Sequence, residues 1–477
     1  MEKDLAVERE GRVMVPAPTE LRQKTWADFE HLKVNDFVDD DFDEDEEEEE
    51  KFVDPRQISL FGDEEFPPVP HALLKLVDDA IDVEASNRRW DEFERANYEK
   101  KIAIFLKTLD EKTLMDRDNA FEMLLAIQSE ASQRNQYDRF FSLVAKLEHD
   151  LPDVYDADAS YYLDWKIMDA VFHSRHDDVI SLLKELAPRA SKDIDVFNNV
   201  VDMLAYHGYQ APLLEVFKVC WKDVRHSRDI VPWGINEFAE RAVDFAIFEY
   251  IESHQEIDPT AKELIKTAEK FIPELLKDEF TNFVERISGR VKKEWTLADF
   301  DPNTKSPDGK SKKKHVANNL YYLSLEFLSF LRWEQNVSYS KGRLARHQLL
   351  DYFDKRSRRE LVEQPSLLDK MLTKGIQKAK KQPIPKHILC PDAATLDVFF
   401  GRLLDFINPQ YYKLAATIEL IPAWLKFLET RQLIDKMLYD ETIQNIRANL
   451  IKTVLDTYDH AIPDPFLKKN LVSIWQV

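Results

Sequence analysis

The chain has 477 residues, 44% of them apolar, with 89 Asp and Glu against 66 Lys and Arg. Its nine glycines argue against β-sandwiches and nucleotide-binding α/β folds, whose hairpins and phosphate loops need positive φ or close backbone approach. The net charge of −23 repels nucleic acid and anionic membranes at long range.

Residues 1–69 form an acidic arm. From Met1 to Glu65 there are 23 acidic and 8 basic residues, and Asp36 to Glu50 holds 12 acidic residues in 15. Like charges at that density repel, so the arm is expected to be disordered. Within it, Gln57-Ile58-Ser59-Leu60-Phe61 reads QISLF. This resembles the bacterial sliding-clamp-binding peptide, a pentapeptide close to Q-L-[S/D]-L-F. The resemblance implies an amide anchor at Gln57, with Ser59 beside it. Leu60 and Phe61 would fill an apolar pocket of the clamp. Ile58 stands where leucine is usual. The arm has no apolar run of the kind a signal peptide needs.

Residues 70–300 read as a helical-repeat lobe. Phe121, Leu124 and Leu125 recur at helical spacing, as do Phe140, Phe141, Val144 and Leu147, each set giving one apolar stripe. The segment from Trp165 to Leu186 overlays that from Asn199 at an offset of 34 residues, so that His173 meets His207, Ile180 meets Leu214 and Leu183 meets Phe217. Each unit reads as a helix, a tight polar turn and a second helix; neither helix buries its stripe alone, so neighbours must stack. Tyr206-His207-Gly208-Tyr209, followed by Leu213, Leu214 and Phe217, resembles the turn and second helix of a tetratricopeptide or pentatricopeptide unit. The resemblance covers roughly residues 119–225 and implies an α-solenoid architecture, without a base-reading code. Thr260 and Glu263 have capping-box spacing, and Asp258-Pro259 and Asn408-Pro409 place a capping side chain before a first-turn proline.

Residues 301–315 are polar, with two prolines, a glycine and five lysines. They read as a linker to a C-terminal helical lobe, 316–477. In that lobe Tyr321, Tyr322, Phe327, Phe330 and Trp333 mark a helix with a broad apolar face, read as core. Pro422 is expected to split one helix into two, since an interior proline breaks the ladder. From Lys305 to His387 there are 19 Lys and Arg against 8 Asp and Glu. Lys341, Arg343 and Arg346, then Lys355, Arg356, Arg358 and Arg359, lie along one predicted helix and its exit. Three readings stand open for them: phosphate neutralisation on nucleic acid, an ordinary solvated face, or a dock for the acidic arm.

No G-x-G, G-x-x-x-x-G-K, G-x-S-x-G, H-E-x-x-H or C-x-x-C can be written in this chain, so no catalytic residue, cofactor or metal site is assigned. His173 and His176 with Asp177 and Asp178 have metal-compatible spacing, but they also match a solvated turn that caps the next helix. Cys220 and Cys390 read as buried small hydrophobes of a cytoplasmic protein, and no run of about 18 apolar residues offers a membrane span. The whole is expected to be an all-α, irregular helical-hairpin repeat in two lobes behind the arm. It would act as a non-catalytic protein–protein scaffold or adaptor. The alternative is a DNA-maintenance accessory factor brought to a sliding clamp by Gln57–Phe61.

Overall fold

The computed structural model describes residues 83–111, 117–134, 136–254, 256–301, 312–362, 387–404, 409–461 and 464–476. Among these residues the chain is all-α, with helices, short 3-10 turns, one π turn and no strand. The arm at 1–69, including Gln57–Phe61, and the lysine-rich stretch at 370–386 lie outside the described residues. No described helix is long and apolar enough to cross a membrane.

The helices fall into two compact units that divide between Asp169 and Ala170. The first contains α1 (Val83–Glu94), α2 (Tyr98–Asp110), α3 (Arg117–Arg134), α4 (Tyr137–Asp150), the short α5 (Pro152–Ala157) and most of α6 (Ala159–Phe172). Asn97 starts α2 by accepting from the Lys100 N–H at 3.0 Å, which satisfies one of the orphan donors of the first turn. Phe105, Leu109, Leu124, Phe140, Leu147 and Tyr162 share one core. Burying each such side chain contributes about 1.5–3 kcal/mol before entropy is charged against it. On α3 the buried stripe runs through Ala120, Met123, Leu124, Ile127 and Ala131, whereas Leu125 is 40% exposed. Leu124 and the partly buried Phe121 therefore lie on the stripe as their spacing predicts, and Leu125 lies off it.

The second unit begins with α7 (His176–Leu186), α8 (Ile194–Tyr206), α9 (Gln210–His226), α10 (Pro232–Ser253), α11 (Lys262–Phe271) and α12 (Lys277–Ile287). It continues with α13 (Lys312–Glu334), α14 (Tyr339–Ser357), α15 (Ala393–Leu403), α16 (Tyr411–Thr430), α17 (Lys436–Ile446), α18 (Lys452–Ala461) and α19 (Pro465–Trp475). The break at 301–315 thus falls inside this unit, and Lys312 to His315 already belong to α13. The polar composition there marks a connection between helices. α8 before it packs on α14 and α16 after it, and α10 packs on α14.

The two turns aligned at an offset of 34 have the same geometry. Ser174 and Gly208 both adopt positive φ, 54° and 82°. Their N–H groups bond the carbonyls three residues back, Val171 and Ala205, and the next N–H groups, of Arg175 and Tyr209, bond those of Ala170 and Leu204. A left-handed residue after the helix end closes the last carbonyls in this way. Both second helices bury Leu183 and Phe217, but Ile180 is 38% exposed where Leu214 is buried.

Three local features direct the packing of the second unit. Gly342 lets α14 approach α13, since a Cβ there would stand 2.6 Å from Leu328 Cδ1. Phe327 and Trp424 meet edge to face with centroids 5.1 Å apart, joining α13 to α16. Pro422 lies inside α16, which runs unbroken from Tyr411 to Thr430. The expected capping box at Thr260 and Glu263 does not form. Asp258 Oδ1 instead accepts from both the N–H and the hydroxyl of Thr260, at 2.9 and 2.7 Å. The helix then starts at Lys262, behind Ala261, with no side-chain cap.

Candidate partner-binding cleft

Most of the basic residues on α14 face inward. Lys341 Nζ donates to Glu419 Oε2 at 2.6 Å, and Tyr206 donates its hydroxyl proton to Glu419 Oε1 at 2.5 Å. Asn470 Nδ2 donates to the Tyr206 hydroxyl at 2.9 Å. Beside them, His207 Nε2 lies 2.8 Å from Asp464 Oδ2, and the Asp464 side chain is fully buried. α8, α14, α16 and α19 are tied together by this network. Burial pushes the Glu419 carboxyl above its ordinary value, with the Lys341 ammonium acting in the opposite direction. Burial likewise raises the Tyr206 hydroxyl. A carboxylate held by an ammonium and a phenol is committed to joining helices.

Arg343 pairs with Asp244, whose side chain is 1% exposed. Arg346 is 1% exposed and donates from Nε to Ser324 Oγ at 2.9 Å. Arg356 is 4% exposed and donates to the carbonyls of Cys390 and His387, at 2.6 and 3.0 Å. Lys355 and Arg358 pair along the helix with Asp351 and Asp354, at 2.8 and 3.2 Å, and Arg359 ends it in the left-handed conformation at φ 62°. The reading of Lys341, Arg343, Arg346 and Arg356 as a phosphate or arm-docking stripe is therefore corrected. Cations held inside by buried carboxylates, backbone carbonyls and a serine hydroxyl cannot reach a phosphate without breaking the core.

An open cleft lies elsewhere, between α12, α13 and the end of α16. It has a volume of about 400 Å³ and is lined by Arg286, Lys292, Glu326, Phe330, Trp333 and Arg431, among others. Glu326 is the hub. Its Oε1 accepts from the Lys293 N–H at 3.0 Å, from Trp295 Nε1 at 3.1 Å and from Arg286 Nη1 at 3.3 Å. Its Oε2 stands 3.0 Å from Arg431 Nη2. The two arginines are further oriented by aromatic faces, Arg286 at 4.4 Å from the Tyr322 centroid and Arg431 at 5.4 Å from that of Phe427. Gly289, at φ 79°, turns the chain out of α12 so close to α13 that a Cβ would stand 2.8 Å from Ser329 Oγ. At the mouth, Trp333 is 55% exposed, and Lys292 is exposed and makes no ion pair among the described residues. Glu334 adds a rim carboxylate.

Helical spacing puts Phe330 and Trp333 on one apolar face; Phe330 is buried there at 7% exposure, whereas Trp333 stands at the surface. Arg286, Glu326 and Arg431 were missed because they are distant in the chain. The usable signal was Glu326, a lone carboxylate inside the apolar run Leu323–Leu331. At the other candidate, Arg175 pairs with Asp178 at 3.2 Å, and the His176 ring lies 5.3 Å from that of Tyr209. Among the described residues no group of three His, Cys, Asp or Glu is placed to hold a metal ion. Cys220 and Cys390 are buried free thiols, which burial pushes up to about 12 and about 11. Comparison of the chain with protein-family models, with curated proteins and with solved structures returns no match.

Proposed function

We propose that this chain is a non-catalytic scaffold or adaptor of the α-solenoid kind, which works in the cytoplasm and binds protein partners on surfaces formed by stacked helix pairs. The observation that carries the reading is the cleft at Glu326, where an exposed tryptophan stands beside oriented cations. Aromatic and arginine anchors in a partly desolvated pocket are what protein partners grip most strongly. The repeated turn geometry at Ser174 and Gly208 supports the helix-pair architecture. The test is affinity purification of the full chain from its native host, with and without Trp333→Ala. A discrete partner set that the substitution depletes supports the scaffold. An unchanged set moves binding away from the cleft, and no reproducible partner removes the reading.

A second reading rests on Gln57–Phe61. The peptide would recruit the chain to a bacterial sliding clamp, making it a DNA-maintenance accessory factor. Purified clamp mixed with the full chain, and with a Gln57→Ala, Leu60→Ala, Phe61→Ala variant, decides it. Binding that the triple variant loses supports recruitment, and equal or absent binding ends it.

A further inference from the structure

We infer that the cleft at Glu326 takes an acidic–aromatic peptide segment of a partner protein, a carboxylate-bearing side chain next to an aromatic one. This rests on the scaffold reading and specifies its ligand. Charge carries the first half of the argument. Arg286, Lys292 and Arg431 line the cleft against Glu326 and Glu334, a net excess of one positive charge. Glu326 is itself inaccessible, with its side chain 1% exposed and its Oε1 accepting three hydrogen bonds. The cations face the opening. Arg286 and Arg431 keep 12% and 22% of their side chains exposed, and each planar guanidinium has N–H groups beyond the one turned to Glu326. Arg286 Nε also donates to Asn282 Oδ1 at 2.8 Å, which leaves its Nη2 for a ligand. A ligand carboxylate would meet that donor, the Arg431 guanidinium and the Lys292 ammonium, an arrangement that favours planar acceptors.

The apolar wall carries the second half. Phe330 and Phe427 pack in a tilted contact, centroids 5.5 Å apart, deep in the cleft, while Trp333 at the mouth is steadied by Tyr339 and the Arg332 guanidinium. An aromatic ligand side chain against Trp333 would bury both faces. A cavity of about 400 Å³ has room for a few side chains and not for a helix, so an extended segment fits it. A basic segment is disfavoured by the same cations.

The test is fluorescence anisotropy of the full-length protein with labelled hexapeptides. One alternates glutamate with phenylalanine, and the controls replace glutamate by glutamine or by lysine, or phenylalanine by alanine. The glutamate–phenylalanine peptide should bind saturably and weaken with salt, and each control should bind about tenfold more weakly. Trp333→Ala and Lys292→Glu should each weaken it about fivefold or more. Lys292 is exposed, so its substitution leaves the fold intact if Trp333→Ala does not. Equal binding of the glutamate and glutamine peptides, or indifference to both substitutions, would overturn the inference. If the peptide fails to bind while the full chain still captures a discrete partner set, the ligand class is wrong and the scaffold stands. If both fail, the scaffold reading falls as well.

Discussion

The indole N–H of Trp475 donates to the carbonyl of Ile418 at 3.2 Å, and Ile418 is the residue whose carbonyl Pro422, four positions on, cannot bond. Proline lacks the N–H that would close the helical ring. An acceptor orphaned inside a buried helix is costly, and a side chain of α19 supplies the missing donor. α16 therefore continues through its proline, and its helicity depends on tertiary structure. Trp475, 1% exposed, is both a core side chain and that donor.

Replacing Trp475 by Phe keeps an aromatic body and removes the donor, and should cost about 1–3 kcal/mol in urea unfolding. In a Pro422→Ala background the helix regains its own donor, so the same substitution should cost about 1 kcal/mol less. Additive effects of the two changes would show that the Trp475 bond does not compensate the proline.

Removing one member of a buried ion pair should be worse than removing both. Lys341→Met leaves the Glu419 carboxylate uncompensated and should cost about 3–5 kcal/mol, whereas Lys341→Met with Glu419→Leu should recover much of it. Chemical denaturation of the two variants provides the comparison. An equal loss in both would place the stabilisation in packing alone.

The same carboxyl makes a pH prediction. Burial holds Glu419 above its ordinary value of 4.5, so the folded state binds this proton more tightly than the unfolded chain. Its contribution is fully present below pH 4.5 and is lost as the pH rises through the higher folded value. Between those limits one such group contributes a slope of at most about 1.4 kcal/mol per pH unit. Unfolding free energies measured upward from pH 4.5 should fall less steeply in Glu419→Gln than in the wild type.

The paired turns predict opposite responses. Ser174 adopts φ 54°, a conformation that costs an L-residue about 1–2 kcal/mol. Ser174→Gly should stabilise by up to about 1 kcal/mol, the remainder going to glycine's greater freedom when unfolded. Gly208→Ala, at φ 82°, should destabilise by about 1 kcal/mol. Thermal melts of the two variants should shift in opposite directions.

Arg343→Ala tests the fate of the basic stripe. Arg343 and Asp244 are both buried, so the substitution should cost about 3–5 kcal/mol of stability. A stable, soluble variant that had lost only affinity for polyanions would restore the surface reading.

The period of the apolar residues, the scarcity of glycine and the polar turns determined by themselves that this chain is helical, and placed the turns at Ser174 and Gly208. Those signals are local, arising from backbone sterics and from stripes that repeat with the helix. Tertiary structure decided which way each charged residue faces. A lysine or arginine reads alike in sequence whether it meets water or a partner carboxylate 78 residues away, as Lys341 meets Glu419. It decided the division between Asp169 and Ala170, which no linker composition marks. It also assembled the cleft, because Arg286, Glu326 and Arg431 converge only once α12, α13 and α16 have packed. Long-range ion pairs and orphaned carbonyls find their partners through the fold, and sequence spacing carries no record of them.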